Sequence, residues 1–189
     1  MGIRSLSTSS ISSGTKRSKA WDQSTVLWTN DFYYIGSGTG TGNTITVSGI
    51  PSTYNNLRIY YTARTTAGSS AVDNTTMYFN GDTTSTNYKG FYWGSGTGGG
   101  GNFPMRTTAS TATAGYFAGG WIDILDYSST VNKNKQIRIY GGSTSPGNME
   151  LFTNYTAWLN TTSAINSITW GYGAGNFVAG SKIDIYGYN

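Results

Sequence analysis

From Thr44 to Arg64 apolar and polar positions alternate in two runs, TITV and LRIYYTAR, joined by the corner GIPSTYNN. Ile45 and Val47 point one way, Thr44 and Thr46 the other. Beyond the corner Leu57, Ile59, Tyr61 and Ala63 share one face, and Arg58, Tyr60, Thr62 and Arg64 take the opposite one. A period of two with one apolar face marks a half-buried strand. Pro51 has a fixed φ and no N–H to give a ladder, so the corner lies between strands.

The rest of the chain repeats this grammar. Val26–Ile35 is an aromatic-rich first run, and Gly36–Gly42 reads as a flexible turn into Ile45–Val47. Thr75–Phe79 precedes Asn80-Gly81-Asp82, a hairpin signal. Tyr88–Trp93 leads into the glycine-rich Gly94–Asn102. Tyr116–Asp126 contains WIDILD, and Gln136–Tyr140 alternates with Ile137 and Ile139 inward. Gly141–Asn148 reads as a turn around Pro146. Met149–Leu159, Ile165–Trp170 and Lys182–Tyr188 complete the set, the last with Ile183 and Ile185 buried.

That makes about ten strands, and no segment carries a capped 3.6-residue apolar stripe. The expectation is an all-β, jelly-roll-like sandwich of two antiparallel sheets, since an immunoglobulin-type fold has fewer strands. Residues 1–23 are Ser/Thr-rich with few large apolar side chains, and read as an extended arm; residues 24–189 form the sandwich.

Composition narrows the chemistry. The 189 residues contain no cysteine and no histidine. This excludes disulfides, thiolate nucleophiles, imidazole bases and imidazole metal ligands. No apolar run approaches the ~20 residues that span a bilayer, and MGIRSLSTSS lacks a signal-peptide core. No membrane association is therefore expected. Residues 1–20 hold Arg4, Lys16, Arg17 and Lys19 without an acid; the remainder carries eight basic and eight acidic residues. All the net charge therefore sits on these first twenty residues of the arm. Ile3, Leu6, Ile11 and Trp21 are its apolar anchors. An arm of this kind suits docking on an acidic protein surface, contact with phosphates, or plain solvation; the balanced body disfavours nucleic acid as the main partner.

No constellation points to catalysis. A glycosidase needs two carboxylates flanking one bond. Asp123 and Asp126 have an odd separation, which puts them on opposite faces of a strand, and both read as residues of its solvated end. Asp73 and Asp82 read as turn residues, and Glu150 is the sole glutamate. Gly94, Gly96 and Gly99 fit G-x-G-x-x-G, but Phe103-Pro104 follows where the dinucleotide fingerprint needs a helix. Calcium is the one metal considered, with Asp73-Asn74 and Asn80-Gly81-Asp82 as oxygen donors; no calcium loop pattern is present, so no metal or cofactor is expected. Three Asn-x-Thr matches (Asn74, Asn154, Asn160) read as chance in a Thr/Asn-rich chain. Tyr60, Tyr78 and Tyr186 are expected outward, where they suit an oligomer interface, a plain sheet surface or a glycan contact.

GIRSLSTSSISSGTKRS, ITVSGIPSTYNNLRIYYTAR, MYFNGDTTSTNY, WIDILDYSSTVNKNKQIRIYGG and INSITWGYGAGNFVAGSKIDIYGY together resemble a family of accessory virion proteins of tailed bacteriophages, notably those of marine and cyanobacterial hosts. The resemblance implies a jelly-roll protein on the particle surface, commonly a homotrimer, attached by its N-terminal segment to a major capsid protein or a tail component. It transfers no site residues. The expected function is non-enzymatic capsid decoration or cementing. The alternatives are a tail-fibre or baseplate module that binds a receptor or host glycan, and, behind it, a carbohydrate-active enzyme.

Overall fold

The computed structural model describes residues 32–68, 70–92, 103–145, 148–171 and 173–189, all within one compact unit, Phe32–Asn189. Met1–Asp31 form the other unit, and the whole predicted arm lies outside the described residues. So do Trp93, Gly94–Asn102 and Pro146.

Eleven strands form two antiparallel sheets. They are β1 (Tyr33–Thr39), β2 (Thr44–Ser48), β3 (Asn56–Ala63), β4 (Val72–Phe79), β5 (Tyr88–Tyr92), β6 (Phe103–Thr108), β7 (Ala118–Leu125), β8 (Lys135–Ser145), β9 (Asn148–Trp158), β10 (Ser167–Gly171) and β11 (Lys182–Tyr188). The larger sheet has the order β1-β11-β3-β7-β8-β9-β5 and the smaller β2-β10-β4-β6. Setting β5, β8 and β9 aside leaves eight strands in two four-stranded sheets, β1-β11-β3-β7 and β2-β10-β4-β6, which the chain visits alternately except at β4 and β6, neighbours in the smaller sheet. That is the double-sheet jelly roll. The β8–β9 hairpin, inserted between β7 and β10, and β5, inserted between β4 and β6, widen one sheet from four strands to seven.

Alternation along the strands builds the core. Leu57, Ile59, Tyr61 and Ala63 of β3, Ile122 and Ile124 of β7, Ile137 and Ile139 of β8, and Ile183 and Ile185 of β11 are buried. They meet Ile45 and Val47 of β2, Met77 and Phe79 of β4, and Ile168 and Trp170 of β10. Burying each such aliphatic side chain is worth roughly 1.5–3 kcal/mol. The strand-corner-strand unit from Thr44 to Ala63 is as expected, with its two strands in different sheets.

Four expectations need correction. Gly36–Thr39 belong to β1 and not to a turn, because a Cβ at Gly38 would lie 2.8 Å from Ile45 and 2.9 Å from Val47. Gly141–Ser145 likewise continue β8: Gly120 pairs with Gly141, and a Cβ on Gly141 would sit 1.9 Å from the Tyr61 hydroxyl. These glycines permit close approach, which a sequence cannot tell from flexibility. Asn80 and Gly81 do take positive φ (53° and 72°), but β5 leaves for the other sheet, so the turn is a corner between sheets and not a hairpin. Its pin is the Asn80 side chain, whose Nδ2 donates to the Ala164 carbonyl (2.8 Å) and whose Oδ1 accepts from the Asn166 (2.8 Å) and Ser167 (3.1 Å) amides.

The fourth is Arg64, expected on the outward face. β3 ends at Ala63, the outward/inward rule lapses there, and Arg64 is buried while bridging to Thr108 at the end of β6. Its guanidinium donates to the carbonyls of Ser110, Ala112, Thr113 and Tyr116 at 2.7–3.2 Å. One side chain thereby holds the whole β6–β7 connection.

Candidate functional site

The same alternation that fills the core decides what the seven-stranded sheet turns outward. Opposite Ile122 and Ile124 stand Trp121 and Asp123; opposite Ile137 and Ile139 stand Arg138 and Tyr140. Register then aligns two rows. One runs Asp184, Tyr60, Trp121, Tyr140, Thr153 across β11, β3, β7, β8 and β9. The other runs Tyr34, Tyr186, Arg58, Asp123, Arg138, Tyr155 from β1 to β9.

The rows form a continuous aromatic band. Tyr34, Tyr60, Trp121, Tyr140 and Tyr155 are all exposed, and Tyr186 is half-buried between Tyr34 and Tyr60. Tyr186 meets Tyr34 edge-on at 5.6 Å and Tyr60 at 5.7 Å, while Trp121 and Tyr140 stack at 5.2 Å with a 21° interplanar angle. Such contacts fix ring orientation and lower the entropy that a ligand must remove.

Beside the Trp121–Tyr140 stack the sheet is bare. Gly119 and Gly142 face each other where the next outward side chains belong. With Trp121 and Tyr140 at one side and Leu151 and Thr153 at another, they leave an open trough of about 480 Å³. Leu151 is 80% exposed.

Charge punctuates the band. Arg58 binds Asp123 in a fork, Nε to Oδ1 at 2.6 Å and Nη2 to Oδ2 at 2.7 Å, and lies 4.9 Å over the Phe32 ring. The hydrogen bond to Asp123 holds the guanidinium even more firmly protonated than usual. Lys182 pairs with Asp184 at 2.7 Å, which raises the ammonium's pKa. Arg138 stands opposite Asp123, but Arg58 already occupies both carboxylate oxygens; among the described residues Arg138 is without an ion pair. Tyr155 donates its hydroxyl to the Gln136 side chain.

Of the three tyrosines expected outward, Tyr60 is exposed and Tyr186 half-buried on this face. Tyr78 is not exposed: it is buried at 7%, because the chain returning from the Asn80 corner brings the Tyr88 ring edge-on to it at 5.8 Å. The arm residues Ile3, Arg4, Leu6, Ile11, Lys16, Arg17, Lys19 and Trp21 lie outside the described residues. Trp121, Tyr140, Arg138, Tyr34 and Tyr155 were not singled out from the sequence, although the parity of WIDILD and QIRIY gives the first three.

The described carboxylates hold structure together. Asp73, expected in a turn, is buried within β4, where it accepts from Thr65 Oγ1 (2.9 Å) and the Ala174 amide (3.1 Å). Asp123 sits mid-strand and not at a solvated end, because Arg58 across β3 stabilises it there. Asp82 accepts from Trp158 Nε1 (2.8 Å), Asn87 Nδ2 (2.9 Å) and the Thr84 amide (3.1 Å). Burial pushes its carboxyl upward, but these donors together outweigh burial and leave it below the ordinary carboxylate range. Glu150 pairs with Arg106 between the sheets, and Asp126, at positive φ, lies 3.6 Å from Lys133. Among the described residues no three carboxylates gather as a metal site.

Fold and face together define a jelly-roll β-sandwich with an aromatic outer sheet. Comparison with known proteins found no matching family model, no matching curated protein and no matching solved structure.

Proposed function

We propose that this chain is a non-enzymatic adhesion protein of a tailed-phage virion, decorating or cementing the capsid surface, with residues 1–23 as the docking arm. The observation that carries the reading is the division of labour among polar groups. Every described carboxylate is committed to a structural partner, whereas the aromatic band is exposed and serves no core. A surface of that composition is suited to contact, and the jelly roll beneath it is the scaffold that the family resemblance implies. The basic arm, carrying Arg4, Lys16, Arg17 and Lys19, gives the sandwich a tether to an acidic partner surface. Extended arms gain affinity by wrapping a partner, at the cost of ordering on contact. A homotrimer is part of the proposal, as the resemblance implies.

The test is deletion of residues 1–20. The remaining chain is expected to fold, with an unchanged β circular-dichroism spectrum, and to be absent from assembled particles. Incorporation of the truncated protein at full occupancy overturns the docking role of the arm.

A second reading, a receptor-binding or glycan-binding module of a fibre or baseplate, is favoured by the Trp121–Tyr140 trough. A ridge of preset rings beside a glycine floor offers flat apolar surface with few side chains to rearrange.

A further inference from the structure

The charge of the sandwich is not where its composition suggests. Phe32–Asn189 carry eight basic and six acidic side chains. Away from the outer face, Arg64, Arg106, Lys133 and Lys135 are balanced by Asp73, Asp82, Asp126 and Glu150. The outer face of the seven-stranded sheet holds Arg58, Arg138, Lys182 and Lys89 against only Asp123 and Asp184. The whole positive excess, two charges, therefore lies on the aromatic face. Arg58 and Lys182 already have carboxylate partners, so among the described residues the cations of this face without an ion pair are Arg138, inside the band, and Lys89, at its margin.

Arg138 and Tyr140 are two residues apart on one strand, hence on one face and ~7 Å apart. Trp121 is stacked on Tyr140, and beyond it the backbone of Gly119 and Gly142 is uncovered. Flat rings present the C–H faces of sugars with an apolar surface, and an unpaired guanidinium in a planar fork matches a carboxylate. Resting on the glycan-binding reading, we propose that this face binds an acidic polysaccharide. A sugar carboxylate pairs with Arg138, and a neighbouring ring packs on a face that the Trp121–Tyr140 stack leaves free, beside the Gly119–Gly142 floor.

The experiment compares the full chain with alginate oligosaccharides as the acidic probe, dextran oligosaccharides as the neutral one, and oligo-thymidylate as an anionic polymer that stacks, by calorimetry at low and high salt. The expected result is alginate binding at least tenfold tighter than dextran, weakening as salt screens the contact. Trp121→Ala and Arg138→Gln each lower alginate affinity tenfold or more, Arg138→Lys recovers part of it, and Thr46→Ala on the other sheet changes nothing. Both outer residues are exposed, and matching circular-dichroism spectra establish that the variants fold. Alginate that fails to bind, or binds all variants alike, overturns the proposal. Dextran bound as tightly as alginate overturns the acidic specificity while the glycan-binding reading stands. Oligo-thymidylate bound more tightly than alginate, and lost in the same variants, overturns the polysaccharide in favour of single-stranded nucleic acid.

Discussion

Arg58 of β3 and Asp123 of β7 face each other across the middle of the outer sheet, joined by two hydrogen bonds of 2.6 and 2.7 Å. Arg58 in turn lies over Phe32, at the start of the described chain, 4.9 Å from the ring centroid. The pair is largely shielded, so it ties three segments together with little competition from water. Asp123→Asn is expected to cost about 2 kcal/mol, read as a shift of the urea midpoint, because it removes a charge-assisted fork. The same change releases Arg58, so alginate affinity is expected to rise two- to threefold. A variant with unchanged stability contradicts the structural role.

Arg64 is the most heavily used cation of the sandwich, with four carbonyl acceptors between Ser110 and Tyr116. Arg64→Met leaves those acceptors buried without a donor and is expected to cost about 3 kcal/mol. Amide exchange should accelerate most in residues 110–117. Exchange that speeds up uniformly, with no local focus, contradicts the assignment.

Alkaline pH is expected to unfold the protein. Burial pushes the hydroxyls of Tyr61, Tyr88, Tyr127 and Tyr188 above their ordinary value. Below pH ~10 both states keep these protons and the stabilisation is complete. As pH rises past ~10 the unfolded chain ionises first, binds fewer protons, and stability falls. Lys135 acts the other way: burial lowers its ammonium, so stability rises as pH climbs through the depressed folded value, where the folded lysine gives up its proton first, and levels off once the unfolded lysine does so near ~10.4. Four tyrosines oppose one lysine, and the net change is a loss. Tyr61→Phe isolates the effect, since the Tyr61 hydroxyl is buried with no hydrogen-bond partner among the described residues. It is expected to leave stability at pH 7 unchanged or raise it by up to ~1 kcal/mol, and to flatten the alkaline fall measured between pH 9 and 11.

The acid limb rests on Asp82. Its folded pKa lies below the ordinary ~3.9, so its contribution is full above that value and is lost as pH falls through the folded one. Asp82→Ala also strands the Trp158 indole N–H inside the core. The expected loss is about 2 kcal/mol at pH 7, shrinking between pH 4 and 2 as the wild-type carboxylate protonates. A constant difference across that range contradicts the mechanism.

Much of this architecture is legible in the chain. Period-two alternation marks the core faces of β2, β3, β7, β8 and β11, and turn residues place most of the corners. The misreadings share a cause. Gly38 and Gly141 look like turn residues, but what decides their role is what lies opposite: Ile45 and the Tyr61 hydroxyl. Tyr78 and Arg64 obey no outward rule, since one is covered by Tyr88 and the other sits where a strand has ended. Trp121 and Tyr140 could each be placed outward by parity. That they stack depends on the register across the β7–β8 turn, which alternation does not encode.

The central claim is that the protein works by adhesion, tethered at residues 1–23 with the aromatic sheet face left free to bind. A particle reconstruction at side-chain resolution tests it most directly. The account predicts residues 1–23 laid along a neighbouring virion protein, with Tyr60, Trp121, Arg138 and Tyr140 open to the medium. An arm that touches no other protein, with that sheet face sealed against the shell, would contradict it.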